Sequence, residues 1–158
     1  MTKAIENIES DAVGTIADRL NQVVADSYGL LGQIHLAHWN VEGRQFLSLH
    51  ELFQTQYEEL FVGIDEIAER VRSLGKYTEG GIKRLGEMSR VPEGPSATKV
   101  PENEWISSII LGHETVIQSC LECRDHAGES GDKETEDLMI ARNQVHQKAV
   151  WMLNSFLK

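Results

Sequence analysis

Apolar positions recur along this chain at steps of three and four residues, the spacing of one face of a helix. Val13, Ile16, Leu20, Val24, Ser27, Leu31, His35 and His38 form the first such stripe. Gly43 interrupts it, and the segment 40–45 reads as a turn. A second stripe carries Phe46, His50, Phe53, Tyr57, Leu60, Ile64, Ile67, Val71 and Leu74, with Gly75 placed to cap the helix end. Then the pattern stops. All three prolines and a cluster of glycines fall within 75–101, which predicts a long connection with a short helix over Ile82–Met88.

Periodicity resumes with Trp105, Ile106, Ile109, Ile110, Val116, Ile117, Cys120 and Leu121, just after Pro101. Gly128 and Gly131 flank a short turn, and Asp132 is placed to cap a last helix. That helix is expected to turn Leu138, Ala141, Val145, Ala149, Met152 and Phe156 inward. No strand-like alternation of useful length and no internal repeat appears. Short turn, long crossover, short turn predicts an all-α, ferritin-like four-helix bundle, its two antiparallel hairpins joined by a crossover running the length of the bundle. One domain over 1–158 is expected.

Charge narrows the range of functions. The chain has 25 acidic against 15 basic residues, a net charge of −10. Such a surface repels phosphate backbones and attracts cations. No apolar run approaches the ~18–20 residues of a membrane span. The N-terminal residues show neither a signal peptide nor a transit pattern, so a cytoplasmic location is expected. Cys120 and Cys123 are the two cysteines, which excludes a disulfide framework. They lie mid-helix without a second pair, as reduced, buried thiols do; His113 and His126 near them are at most an adventitious metal site.

The candidate chemistry lies in the first hairpin. His38 and His50 flank the turn on apolar stripes, at similar heights in an antiparallel pair. Such histidines are either packed core residues or metal ligands. Asp65 and Glu69, one helical turn apart, either share a divalent cation or form a solvated face beside Arg70 and Arg72. Reach sharpens the alternatives. Asp65 lies fifteen residues beyond His50 on one helix, roughly 22 Å at ~1.5 Å per residue, whereas a metal–ligand bond is about 2 Å. Either there is no shared site, or a second subunit supplies half of it. A two-fold axis crossing the second helix near Tyr57–Glu58 would bring His50 of one chain to Asp65 of another. The Glu-x-x-His pairs of an intrasubunit di-iron bundle are missing from the sequence.

The run Ala37-His38-Trp39-Asn40-Val41-Glu42-Gly43, followed by Phe46, Leu49-His50-Glu51, Phe53, Tyr57 and Asp65-Glu66-Ile67-Ala68-Glu69-Arg70, resembles the signature of the Dps family, the mini-ferritins. With the helix lengths, the long linker and the closing Trp151-Met152, the likeness extends over nearly the whole chain. It implies a shell of twelve subunits that oxidises Fe(II), typically with hydrogen peroxide, and stores ferric mineral, suppressing hydroxyl-radical formation. It implies metal ligands His38 and His50 from one subunit, Asp65 and Glu69 from its partner. Glu69 would hold iron beside Asp65 and His38, and His50 a weaker second iron. Trp39, beside His38, would as in the family give up an electron or quench a radical, or else it only packs at the helix end. His35, read from its position three residues before His38 and not from the resemblance, is either an ordinary packed residue or a partner that orients that ligand.

The resemblance also implies acidic entry pores, for which Glu134 and Asp137 best match the lining positions; the residues Val145, His146 and Gln147 depart from the family's further aspartates. DNA-binding members carry basic tails, whereas residues 1–11 here contain one lysine against Glu6, Glu9 and Asp11. Strong DNA binding is therefore not expected. The alternative function is a DNA-compacting structural protein in which the metal centre is secondary.

Overall fold

The structure is a computed structural model, and it describes residues 8–96 and 99–158. Five helices make up its regular elements: α1 (Ser10–Asn40), α2 (Phe46–Ser73), α3 (Ile82–Met88), α4 (Glu102–Glu129) and α5 (Lys133–Ser155). No strand occurs among the described residues. The α1/α2 and α4/α5 hairpins pack through α1 on α4 and α2 on α5, while α3 lies against α1. This is the predicted all-α, ferritin-like architecture. The stripes of α1, α2 and α4 supply the core, including Ile16, Leu20, Ile34, Phe53, Ile67 and Trp105, each at most 1% exposed.

Local rules set the helix ends. Gly75 takes φ 79°, a left-handed conformation that a β-carbon disfavours. This lets the N–H groups of Gly75 and Lys76 turn back to the carbonyls of Arg72 and Val71, at 3.0 and 3.3 Å. Gly131 ends α4 in the same way, whereas Gly128 lies inside that helix rather than in the turn. Asp132 caps α5 as expected, accepting from the Thr135 N–H at 3.1 Å. It is wholly buried, and the Arg70 guanidinium of α2 donates to it at 2.7 Å, fastening one hairpin to the other.

The crossover is held by polar side chains of α1. Asn21 donates to the Tyr77 carbonyl at 3.3 Å and accepts from the Glu79 N–H at 2.9 Å. Buried Asp26 accepts from the Arg90 N–H at 2.6 Å, from the Arg90 guanidinium at 3.2 Å and from the Ser119 hydroxyl of α4. One carboxylate thus joins α1, the crossover and α4.

The inward face of α5 differs from the expected one. Of the six residues expected there, only Ala149 is buried; Ala141 and Val145 are exposed, and the other three are half-buried. The helix instead buries Thr135, Met139, Arg142, Asn143, His146, Ala149 and Leu153. The reason is pairing across the bundle: Arg142 donates to Glu59 of α2, and His146 faces His113 of α4. Polar groups with built partners can be buried at small cost, which hydropathy does not register. Gly63 makes room for Arg142, since a β-carbon there would overlap the guanidinium. We expect Gly63→Ala to lower unfolding stability by about 1–3 kcal/mol, read by guanidinium denaturation; an unchanged midpoint would show that Arg142 is free to shift.

Candidate metal centre

His38 sits in the last turn of α1 and His50 near the start of α2, so the tight 41–45 turn sets their separation. Their rings stack with centroids 3.8 Å apart and planes 18° from parallel. Each Nδ1 lies 2.9 Å from the backbone carbonyl of the other residue. A carbonyl only accepts, so both Nδ1 atoms carry the hydrogen, and in the neutral ring the lone pair is then on Nε2. The backbone of the hairpin thereby sets both rings in one tautomer, as carbonyl partners do for metal-ligating imidazoles. Long-range ¹H–¹⁵N correlation spectra of the metal-free protein should show protonated Nδ1 and bare Nε2 at both residues. Nε2–H tautomers would contradict the arrangement.

Aromatic rings surround the pair. Tyr57 meets His38 edge-on at 5.2 Å, and Phe46 lies 5.2 Å from His50. His35 packs against Tyr57 at 4.4 Å and stacks on Trp39 at 5.4 Å. Burial, together with the neighbouring His38, holds the His35 imidazole below its ordinary pKa. His35 makes no hydrogen bond to His38; the orienting role belongs to the two carbonyls instead. Backbone groups have no sequence signature, so this device was not readable beforehand. Trp39 is 68% exposed, with His35 as its ring partner.

Asp65 and Glu69 lie on the exposed face of α2, and neither makes an ion pair or hydrogen bond with a described residue. The arginines beside them are engaged elsewhere. Arg70 binds Asp132, while Arg72 donates to the Lys76 carbonyl at 2.5 Å and covers the Tyr77 ring at 4.3 Å. Within one chain the carboxylates do not join the histidines: among the described residues no three His, Cys, Asp or Glu side chains converge on a metal-sized site. Between the two halves Tyr28 and Phe61 are exposed, at 38% and 63%, with the exposed carboxylate of Glu58 beside Phe61.

Glu134 and Asp137 are exposed in the first turns of α5. Cys120 and Cys123 are free and buried, and burial pushes both thiols up to about 12, so they stay protonated. His113 turns to His146 rather than to His126, and no cysteine–histidine cluster occurs among the described residues. None of the helices is long and apolar enough to cross a membrane among the described residues.

The ferritin-like domain family matches residues 17–158. An uncharacterised low temperature-induced protein of Nostoc sp. is 37% identical over 151 residues, covering 90% of this chain and 80% of the relative. DNA protection during starvation protein 2 of Bacillus anthracis is 32% identical over 142 residues, covering 90% of this chain and 96% of the relative. Among solved structures, the Dps protein of Bacillus brevis superposes with a TM-score of 0.89 at 31% identity, covering 96% of this chain and all of the other. The Dps protein of Vibrio cholerae, described as a member of a superfamily of ferritin-like diiron-carboxylate proteins, gives 0.89 at 26% identity, covering 96% of this chain and 94% of the other. With a family match over most of its length and Dps relatives that it spans almost end to end, the chain belongs to the Dps family of ferritin-like proteins.

Proposed function

We propose that this protein takes up, oxidises and stores iron in the cytoplasm, in a twelve-subunit shell that limits oxidative stress. The observation that carries the reading is the His38–His50 pair, whose Nδ1 atoms are spent on backbone carbonyls and whose Nε2 atoms are thereby left to bind a cation. Asp65 and Glu69 of a second copy complete the centre. Imidazole with carboxylate suits first-row divalent metals and leaves positions for an oxidant. The exposed rings of Tyr28 and Phe61 support a two-fold contact between the half-sites. Two Fe(II) ions each give one electron, the O–O bond of hydrogen peroxide breaks, and two hydroxide ions form; dioxygen is the alternative acceptor. Trp39 serves as an accessory electron donor. Glu134 and Asp137 draw Fe²⁺ toward the shell's entry pores.

Sizing and turnover test this together. Twelve chains of 17.7 kDa make a particle of about 212 kDa, which should oxidise Fe(II) in a ratio of two irons per peroxide. A monomer or dimer without oxidation above the buffer blank would overturn the reading. Relatives named for DNA protection raise DNA as a partner. A net charge of −10 per chain argues against it; the tail reading rests partly on residues 1–7, outside the described residues. Intact particles should leave plasmid mobility unchanged in a low-Mg²⁺ gel shift, and salt-sensitive retention would contradict this.

A further inference from the structure

The proposed iron chemistry leaves unused a group of buried polar side chains between α2, α4 and α5. His113 and His146, 3% and 1% exposed, face each other with Nδ1 atoms 2.9 Å apart. Arg142 Nη2 lies 3.5 Å from His146 Nε2, and Gln56 Oε1 lies 3.5 Å from His113 Nε2. One assignment of hydrogens fits all three contacts. A guanidinium only donates, so His146 Nε2 accepts and its Nδ1 carries the hydrogen. That hydrogen points to His113 Nδ1, which must accept, and His113 Nε2–H then donates to the Gln56 oxygen. Both rings are neutral, and each has a single lone pair, already used.

A further proton has no place in this chain. On His146 Nε2 it would meet the Arg142 guanidinium, and on His113 Nδ1 it would meet the His146 N–H. Among the described residues no carboxylate stands ready to offset the new charge. On α2, Glu59 is already bound by both terminal nitrogens of Arg142. On α4, Cys120 is a neutral thiol, and on α1, Asp26 is committed to Arg90 and Ser119. Arg142 is the charge nearest the pair, and it repels.

We propose that the His113–His146 contact is an acid-sensitive latch on α5, so that proton uptake at this pair frees the inner face of α5 from α2 and α4 and opens the bundle. Burial and the Arg142 charge hold His113 down to about 3, and burial with its charged neighbours holds His146 well below the ordinary range. The sign follows from that direction. Below pH 6.5 the unfolded chain binds protons at these residues that the folded chain refuses, so their contribution to stability is full above pH 6.5 and is lost as pH falls toward 3.

The test is guanidinium unfolding of the assembled protein at several values between pH 6.5 and 4, for wild type and for His113→Gln/His146→Gln. Glutamine keeps hydrogen-bonding capacity but does not titrate. Two excluded protons per chain make the unfolding constant rise by up to about a hundredfold for each pH unit of acidification. The double variant should lose that part of the dependence while keeping whatever the remaining residues contribute. Equal pH dependence in the two proteins would overturn the latch. If the variant does not assemble, imidazole NMR of wild type decides: both rings should stay neutral while folded down to pH 5, and a ring titrating near its ordinary midpoint in the folded state would refute the proposal.

Discussion

Mixing two inactive variants should restore Fe(II) oxidation. His38→Ala/His50→Ala removes the imidazole half of each centre, and Asp65→Ala/Glu69→Ala removes the carboxylate half. Each variant alone should lose at least about a hundredfold in peroxide-dependent oxidation, since half of the donors to the metal are gone. Co-assembled in equal amounts, half of the two-fold pairs are mixed, and each mixed pair holds one intact and one doubly defective centre. About a quarter of the wild-type activity should therefore return. Ligands supplied by a single chain would give no recovery. The experiment thus separates a shared centre from an internal one without a metal-bound structure. Neither carboxylate supports the fold through a contact with a described residue, whereas His38 is buried and both histidines bond the hairpin backbone; recovery of activity on mixing shows that the histidine variant still folds and assembles.

The largest effect on stability is expected at Asp26. Its buried carboxylate accepts from the backbone and guanidinium of Arg90 and from Ser119. Asp26→Ala leaves those donors without their acceptor. Because Arg90 is partly exposed, water takes up some of the loss, and the expected cost is about 2–4 kcal/mol. For a chain of this size that lowers the melting temperature by roughly 5–15 °C. Asp26→Asn, which keeps the shape and one acceptor oxygen, should cost less. Thermal melting followed by circular dichroism gives the magnitude, and limited trypsin digestion locates the change, with cleavage expected at Arg84 and Arg90 as the crossover lifts. A melting point within two degrees of wild type, with the crossover still resistant, would show that the apolar contacts of α3 alone hold the segment.

Sequence reading succeeded where the determinants are local. The stripes of α1, α2 and α4 follow from apolar spacing, and Gly75 and Asp132 act as caps because a left-handed turn and an N-terminal acceptor are properties of single residues. It failed on α5, where the helical repeat is present but the inner face is polar. The partners that make burial of Arg142 and His146 tolerable are Glu59 and His113, respectively 83 and 33 residues away. Hydropathy along one segment carries no trace of them.

The same division applies to the site. Sequence alone determined the bundle connectivity, the residue types at four candidate ligand positions and, through the rise of a helix, that His50 and Asp65 of one chain cannot hold one ion. The tertiary structure decided how the histidines are presented: stacked at 3.8 Å, each anchored at Nδ1 by the other's carbonyl. It also decided that Arg70 is drawn away from Glu69 toward Asp132. Helix rise and turn type are properties of neighbouring residues, and so can be read from their order. Hydrogen bonds between helices depend on which faces meet, and only the packed chain sets that.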